Sequence, residues 1–268
     1  MDLGFKGKVA LVTGAGSQVG FGKAIGLLLA KEGCDAIAVT DINLDDVKKT
    51  AEDIKKLGRK SIAIKADITS KEEVDAMVKK VIAEYGKIDV LCNVAGAILQ
   101  KDYVPIDEQK SEIWAKQMEL NLFGAMYLTR AVVPYMRKQK YGAIVNIGSG
   151  STRQYSFGVQ VYAISKYAID LFTKQLAYQE GKNGIRCNCV APGPAPTNFG
   201  AVLREGAPKG PPPSPEQMAK MREGMMASFP LGRMGAAADI ANITVLMASD
   251  ATGYITGQVI QVSGGNVM

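Results

Sequence analysis

Short β-branched runs alternate along the chain with longer stretches in which apolar residues recur every three or four positions. The runs predict strands over Val9–Thr13, Ala36–Thr40, Ser61–Lys65, Val90–Asn93, Ala143–Ile147, Ile185–Val190 and Gly257–Val262. The helical period predicts helices near Gly22–Lys31, Leu44–Leu57, Lys71–Tyr85, Ser111–Arg137, Tyr162–Gly181 and Ala237–Ser249. Strict alternation of this kind predicts an α/β fold: a doubly wound (Rossmann), mostly parallel seven-stranded sheet with helices on both faces, in one domain spanning 1–268. Such sheets bind ligands beyond the carboxyl ends of their strands, so residues there carry the functional expectation.

One segment breaks the alternation. Residues 192–229 hold a cluster of prolines and then a helical stretch, Glu216–Met226, with Met218, Met221, Met225 and Met226 on helical spacing. A long irregular insertion directly after a strand's carboxyl end predicts a substrate lid.

Composition narrows the chemistry. The chain has 268 residues, 47% hydrophobic and 22% charged, with a formal net charge of +6. Lys and Arg alternate with acids, as in Asp45-Asp46-Val47-Lys48-Lys49, which reads as solvated helix faces rather than a nucleic-acid surface. No stretch approaches the roughly 18 apolar residues of a membrane span, and Met1–Lys6 lacks the apolar core of a signal peptide, so a cytoplasmic protein is expected. The four cysteines, Cys34, Cys92, Cys187 and Cys189, are scattered, which suits a reducing compartment; Cys187-x-Cys189 reads as part of a buried strand, and no metal site is expected. Histidine is absent, so acid/base chemistry must use Tyr, Lys, Asp, Glu or Cys.

The first predicted strand runs into a glycine-rich turn, Thr13-Gly14-Ala15-Gly16-Ser17-Gln18-Val19-Gly20-Phe21-Gly22, and then a helix. Glycines there let backbone N–H groups and the helix N-terminus approach a pyrophosphate. Asp41 closes the second strand, where a carboxylate accepts hydrogen bonds from an adenosine ribose diol and repels a 2′-phosphate; neither neighbour, Thr40 or Ile42, is basic. NAD(H) is therefore expected in preference to NADP.

From Lys6 to Gly265 the chain resembles the short-chain dehydrogenase/reductase family. The resemblance implies cofactor contacts from Gly14, Ser17, Gln18, Gly20, Phe21 and Gly22 in the turn, from Asp41, and from Ala66, Asp67 and Ile68, where Asp67 matches the family's adenine-ring aspartate. Asn93-Val94-Ala95-Gly96 matches the Asn-Ala-Gly motif, implying contacts from Asn93, Ala95 and Gly96. In Pro192-Gly193-Pro194-Ala195-Pro196-Thr197, similar to the family's Pro-Gly motif, Pro192, Gly193 and Ala195 are expected to pack on the nicotinamide and Thr197 to bond its carboxamide. Pro194 and Pro196 have no N–H to give. The glycine turn departs from the family's usual three-residue spacing by placing five residues between Gly14 and Gly20-Phe21-Gly22, which reads as a lengthened turn like that of enoyl-carrier-protein reductases.

The catalytic expectation rests on Ser149 and on Tyr162-Ala163-Ile164-Ser165-Lys166. Tyr and Lys four apart share one helix face. A free phenol has a pKa of about 10, and a nearby ammonium with a cationic nicotinamide favours the phenolate. The resemblance implies that Tyr162 is the general acid/base, that Lys166 lowers its pKa and binds the nicotinamide ribose, that Ser149 bonds the substrate oxygen, and that Asn121 holds a water in the proton relay.

The implied activity is reversible oxidation of a secondary alcohol. Enoyl reduction would place Tyr and Lys seven apart, where this chain has Ile169. Reduction of 3-oxoacyl groups on carrier protein or coenzyme A shares the catalytic set but commonly uses NADPH, and a nucleotide-binding regulator would ordinarily have lost the Tyr or Lys. The expected pocket, from Ala97-Ile98-Leu99, the 150s loop and the Met-rich lid, is mostly apolar, suiting a medium-sized alcohol or ketone; Arg153, Gln154, Arg204 and Lys209 are the charged or polar candidates at its rim. The family resemblance also implies a homotetramer or dimer paired through the Ser111–Arg137 and Tyr162–Gly181 helices, with neither nucleic acid nor membrane as partner.

Overall fold

The computed structural model describes residues 2–99, 104–154, 158–197, 214, 216, 223–224 and 226–267. Seven strands, β1 (Val9–Thr13), β2 (Ala36–Asp41), β3 (Lys60–Lys65), β4 (Val90–Asn93), β5 (Gly142–Ile147), β6 (Ile185–Pro192) and β7 (Val259–Val262), form one sheet in the order β3-β2-β1-β4-β5-β6-β7. Every neighbouring pair is parallel. The order reverses between β1 and β4, so the sheet splits its crossovers there and opens a crevice at the carboxyl edge.

Strand residues alternate between two cores. Ala10, Val12, Ile37, Val39, Val90, Cys92, Ala143 and Val145 point to one face, packed by helices α1 (Phe21–Lys31), α2 (Leu44–Lys56) and α7 (Ala237–Ala248). Val9, Leu11, Ala36, Ala38, Leu91 and Ile144 point to the other, under α3 (Lys71–Tyr85), α5 (Gly124–Gln139) and α6 (Gln160–Glu180). Burial on both faces explains why the strands read as continuous apolar runs rather than as alternating ones. Helix starts follow local chemistry: the Asn43 side chain accepts from Asp45 N and Asp46 N, and Ser70 accepts from Glu73 N.

Several element ends shift by one or two residues from the sequence reading, and two differences bear on the site. The expected helix Ser111–Arg137 is interrupted: α4 (Ser111–Met118) and α5 are joined by a π-helical turn, Glu119–Phe123, which carries Asn121. A π turn adds a residue to the helical repeat, and apolar periodicity does not register it. Strand β6 runs on to Pro192, which pairs with Val262, because the missing proline N–H is followed at once by Gly193 N donating to Val262 O at 2.9 Å. Most of the 192–229 lid expectation, including Met218, Met221 and Met225, lies outside the described residues. Among those described, no helix is long and apolar enough to cross a membrane.

Leu91 is fully buried at the centre of the sheet against the α3/α5 layer. Leu91→Ala is expected to cost about 2–5 kcal/mol, seen as a lower urea midpoint at unchanged slope.

Candidate functional site

Two cavities open along the carboxyl edge, one of about 310 Å³ beside the glycine turn and one of about 410 Å³ beside Tyr162. Phe21, Val94 and Thr197 line both, so they are two arms of one cleft.

The first arm is shaped by the approach of β1 to β4. Thr13 Oγ1 accepts from Val94 N and Ala95 N, each at 3.0 Å. Gly14 has φ +63°, and a Cβ on it would stand 2.8 Å from the Ala95 backbone, so only glycine fits. Gly22 lies close under the same turn, where a Cβ would stand 2.3 Å from Gly14 O. Gly20 is the N-cap of α1 and Phe21 its first residue, so the helix N-terminus faces the cleft entrance. Gly14, Ser17, Gly20, Phe21, Asp41, Ala66, Asp67, Ile68, Ala95 and Gly96 all line this arm.

Within the arm the hydroxyls of Ser17 and Thr40 are buried without a partner. Unpaired hydroxyls cost free energy unless something accepts from or donates to them, and a phosphate or ribose supplies what is missing. The donor set, the tight backbone approach and these orphaned groups fit a dinucleotide. Asp41 Oδ2 accepts from Gly16 N at 2.8 Å and Oδ1 from Asn43 N at 3.1 Å, which fixes the carboxylate at the far end. Asp67 Oδ1 accepts from both Thr69 N and Thr69 Oγ1 at 2.8 Å, bracing its own turn.

Two residues expected here are placed elsewhere. The Gln18 side chain turns toward α2, donating to Gly16 O at 2.7 Å and Asp46 O at 3.1 Å and accepting from Lys23 Nζ at 2.6 Å. Asn93 is buried beneath the cleft, donating to Asn146 Oδ1 at 2.8 Å and Thr129 Oγ1 at 3.4 Å, where it ties β4 to β5 and α5. Their sequence signal was motif position alone, which does not say which way a side chain points.

The second arm brings together Ser149, Tyr162, Lys166, Pro192, Gly193, Ala195 and Thr197. Ser149 follows β5 and opens a short 3₁₀ turn, Gly150–Thr152; its Oγ accepts from Ser151 N at 3.1 Å. Tyr162 and Lys166 lie one turn apart on α6. The Lys166 ammonium donates to Ile147 O at 2.9 Å, and a Cβ on Gly96 would stand 3.2 Å from it and 2.8 Å from Asn121 Oδ1. Asn121 stays behind this wall: Oδ1 accepts from Ala97 N at 3.0 Å, and Nδ2 donates to Ala97 O at 3.1 Å and Ser165 Oγ at 3.0 Å. Both of its N–H donors are spent, so its side chain binds the β4 loop to α6.

Burial sets the charges. It pushes the Tyr162 phenol up to about 12, against which a hydrogen bond with Ser149 acts. It brings Lys166 down to about 8, opposed by its neighbours Cys189 and Asp170. The ammonium thus donates to a strand carbonyl, and burial keeps the phenol protonated at neutral pH.

The substrate walls are partly those expected, Ile98, Gly150, Ser151 and Gln154, joined by Val159, Met234, Asn266 and Val267. The C-terminal pair was not foreseen. Asn266 is placed by a long-range contact, Gln154 Nε2 donating to Asn266 O at 2.9 Å, and Val267 by a local one, its N–H donating to Ser263 Oγ at 3.2 Å. Arg153 turns from the cavity to Asp170, at 3.6 Å. Arg204 and Lys209 lie outside the described residues.

Residues 14–266 match a family model described as enoyl-(acyl carrier protein) reductase. A 3-oxoacyl-[acyl-carrier-protein] reductase from Thermotoga maritima is 37% identical over 98% of this chain and 99% of its own length. Among solved structures, a 7α-hydroxysteroid dehydrogenase complexed with NADH and 7-oxoglycochenodeoxycholic acid superposes with a TM-score of 0.87 at 32% identity, covering 99% of this chain and 96% of that one. An NAD⁺-bound xylitol dehydrogenase superposes with a TM-score of 0.85 at 31% identity, covering 97% and 99%.

Proposed function

The chain belongs to the short-chain dehydrogenase/reductase family, and on that premise we propose that it transfers a hydride between NAD(H) and the carbinol or carbonyl carbon of a medium-sized, largely apolar substrate. The observation that carries the reading is that Ser149, Tyr162 and Lys166 line one arm of a cleft whose other arm ends at Asp41.

Bound in the cleft, oxidised nicotinamide supplies the hydride acceptor and a positive charge near the phenol. Ser149 holds the substrate oxygen by a hydrogen bond. Tyr162 takes the hydroxyl proton on oxidation and returns it on reduction. Lys166, whose ammonium donates to Ile147 O, would hold the nicotinamide ribose, and its positive charge favours the phenolate. Asn121 keeps the β4 loop against α6, so that Gly96 leaves room for Lys166.

Ile169, where the enoyl branch would need its lysine, is buried against Ala125 and Cys189, which favours carbonyl chemistry. A second reading, reduction of 3-oxoacyl thioesters, is favoured by the Thermotoga relative, and oxidation of a 3-hydroxyacyl-coenzyme A with NAD⁺ tests it. The cavity of about 410 Å³ is walled chiefly by apolar side chains, and Lys166 is the charged residue among its described lining, which supports a neutral alcohol.

We also place the protein in the cytosol, since all four thiols are free and buried. We further propose a homotetramer or dimer. Ile164, Tyr167 and Leu171 are 46%, 57% and 54% exposed on one face of α6, and Phe123 and Met126 are exposed at the start of α5; an apolar stripe on the outer face of a helix is what a buried partner contact requires. Leu171→Glu combined with Tyr167→Glu should lower the mass seen by light scattering to that of a smaller assembly; an unaltered mass rejects this face.

Tyr162→Phe is expected to lower kcat by at least about 10²–10⁴-fold while leaving NADH binding nearly unchanged. Absorbance growth with a panel of secondary alcohols and fluorescence titration of NADH measure the two, and full activity would remove Tyr162 from the reaction. The Asp41 carboxylate should make NADH bind about 10–100-fold more tightly than NADPH, equivalent to about 1.4–2.8 kcal/mol, and Asp41→Ser should narrow that gap. Equal affinities in the parent protein would overturn the cofactor choice.

A further inference from the structure

We propose that Asp170 is a positioning residue for the reaction: its buried carboxylate clamps the turn that carries Ser149 and stands as the counter-charge that keeps Lys166 an ammonium. The proposal rests on the reading of Lys166 as the group that holds the nicotinamide ribose.

Tyr162, Lys166 and Asp170 follow one another at intervals of one helical turn, so all three share a face of α6. Asp170 is 3% exposed, and carboxylates are seldom buried to that extent unless paired. Its partners come from two other elements. From the turn after β5, Thr152 Oγ1 lies 3.2 Å from Asp170 Oδ2, and Arg153 Nη1 lies 3.6 Å from the same oxygen. From β6, Cys189 Sγ donates to Oδ1 at 3.5 Å. The Thr152 hydroxyl also stands 3.0 Å from Ser149 O, so its single proton is shared between the carboxylate and the backbone carbonyl of the residue that holds the substrate. Gly148, just before Ser149, passes so close that a Cβ there would be 3.1 Å from Asp170 Oδ1. The carboxylate therefore touches residues on both sides of Ser149.

The charges around the pair are few. Lys174 acts on Asp170 from its own helix, Arg153 from the end of the 3₁₀ turn, and Cys189 from β6, while Lys166 stands one helical turn before it on α6. Burial raises the Asp170 carboxyl above the ordinary carboxylate range, with the hydrogen bonds from Cys189 and Thr152, then Arg153 and Lys174, acting against the rise. Cys189 is pushed well above the ordinary thiol range, chiefly by burial, so it is uncharged at neutral pH. Of the two neighbours that oppose the loss of the Lys166 proton, Cys189 and Asp170, the carboxylate, one helical turn along α6, is the one assigned the counter-charge. The sign is definite: removing that charge makes Lys166 lose its proton at lower pH.

The test is NADH binding followed by fluorescence as a function of pH, which needs no substrate. In the parent, affinity should fall as pH rises through the Lys166 titration. Asp170→Asn keeps the shape and removes the charge, and should move that fall to lower pH by about one unit. Hydrogen exchange of the Gly150–Arg153 amides should quicken in Asp170→Asn. Thr152→Val, at a half-buried position that tolerates change, should quicken the same amides while leaving the pH inflection in place, and it tests the clamp even where the Asp170 variant does not fold. An inflection in Asp170→Asn that superimposes on the parent's, or unchanged exchange in Thr152→Val, overturns the proposal. A parent that binds no NADH fails the functional reading instead, so the two failures are distinguishable.

Discussion

The cleft exists because β1 and β4 are held side by side at the point where the strand order reverses. The backbone ladder pairs the strands, and a threonine hydroxyl draws in the loop beyond them: Thr13 Oγ1 collects two successive amide protons, from Val94 and Ala95, just past the end of β4. With that loop drawn in, Gly14 sits in contact with Ala95, and any larger residue would push the two strands' ends apart. The cofactor turn, the floor of the crevice and the entrance to the Tyr162 arm all take their positions from this contact. Val94, which lines both arms, is the piece of chain they share.

The strands were legible in the sequence because both faces of the sheet are covered, so each strand is an unbroken apolar run with a turn at either end. Ser149, Tyr162 and Lys166 were legible for a different reason: Tyr162 and Lys166 lie a helical turn apart, Ser149 follows a strand, and the family resemblance joins the three. What escaped was whatever depends on contacts between distant segments. The π turn around Asn121 is stabilised by partners at Ala97 and Ser165, and neither is visible in the local periodicity. Gln18 and Asn93 occupy expected motif positions, yet each finds stronger partners away from the cleft, in α2 and in Asn146 respectively. Asp170 reads locally as one more polar residue on a helix, and only the folding of β6 and the 150s turn against it gives it a role.

The catalytic arm carries an electrostatic cost. Desolvation acts against charge on both members of the Tyr162/Lys166 pair, raising the phenol to about 12 and lowering the ammonium to about 8. Burying an ammonium is expensive, and the Ile147 carbonyl, which accepts from it at 2.9 Å, offsets part of that cost alongside Asp170 one turn along the helix.

That arrangement links chemistry to occupancy of the cleft. While the ammonium is bonded to the strand and the phenol keeps its proton, Tyr162 is a poor base at neutral pH, and a stray alcohol entering the arm meets a neutral hydroxyl. A ribose diol held by Lys166 would offer acceptors to the ammonium, and a cationic ring bound in the same arm would favour the ionised phenol. The burial that raises the Tyr162 phenol also makes it responsive, because an added charge acts more strongly in a buried site than it would through water. A solvent-exposed Tyr and Lys at the same spacing would have an ordinary phenol and an ordinary amine, and little to gain from the arrival of a third charge.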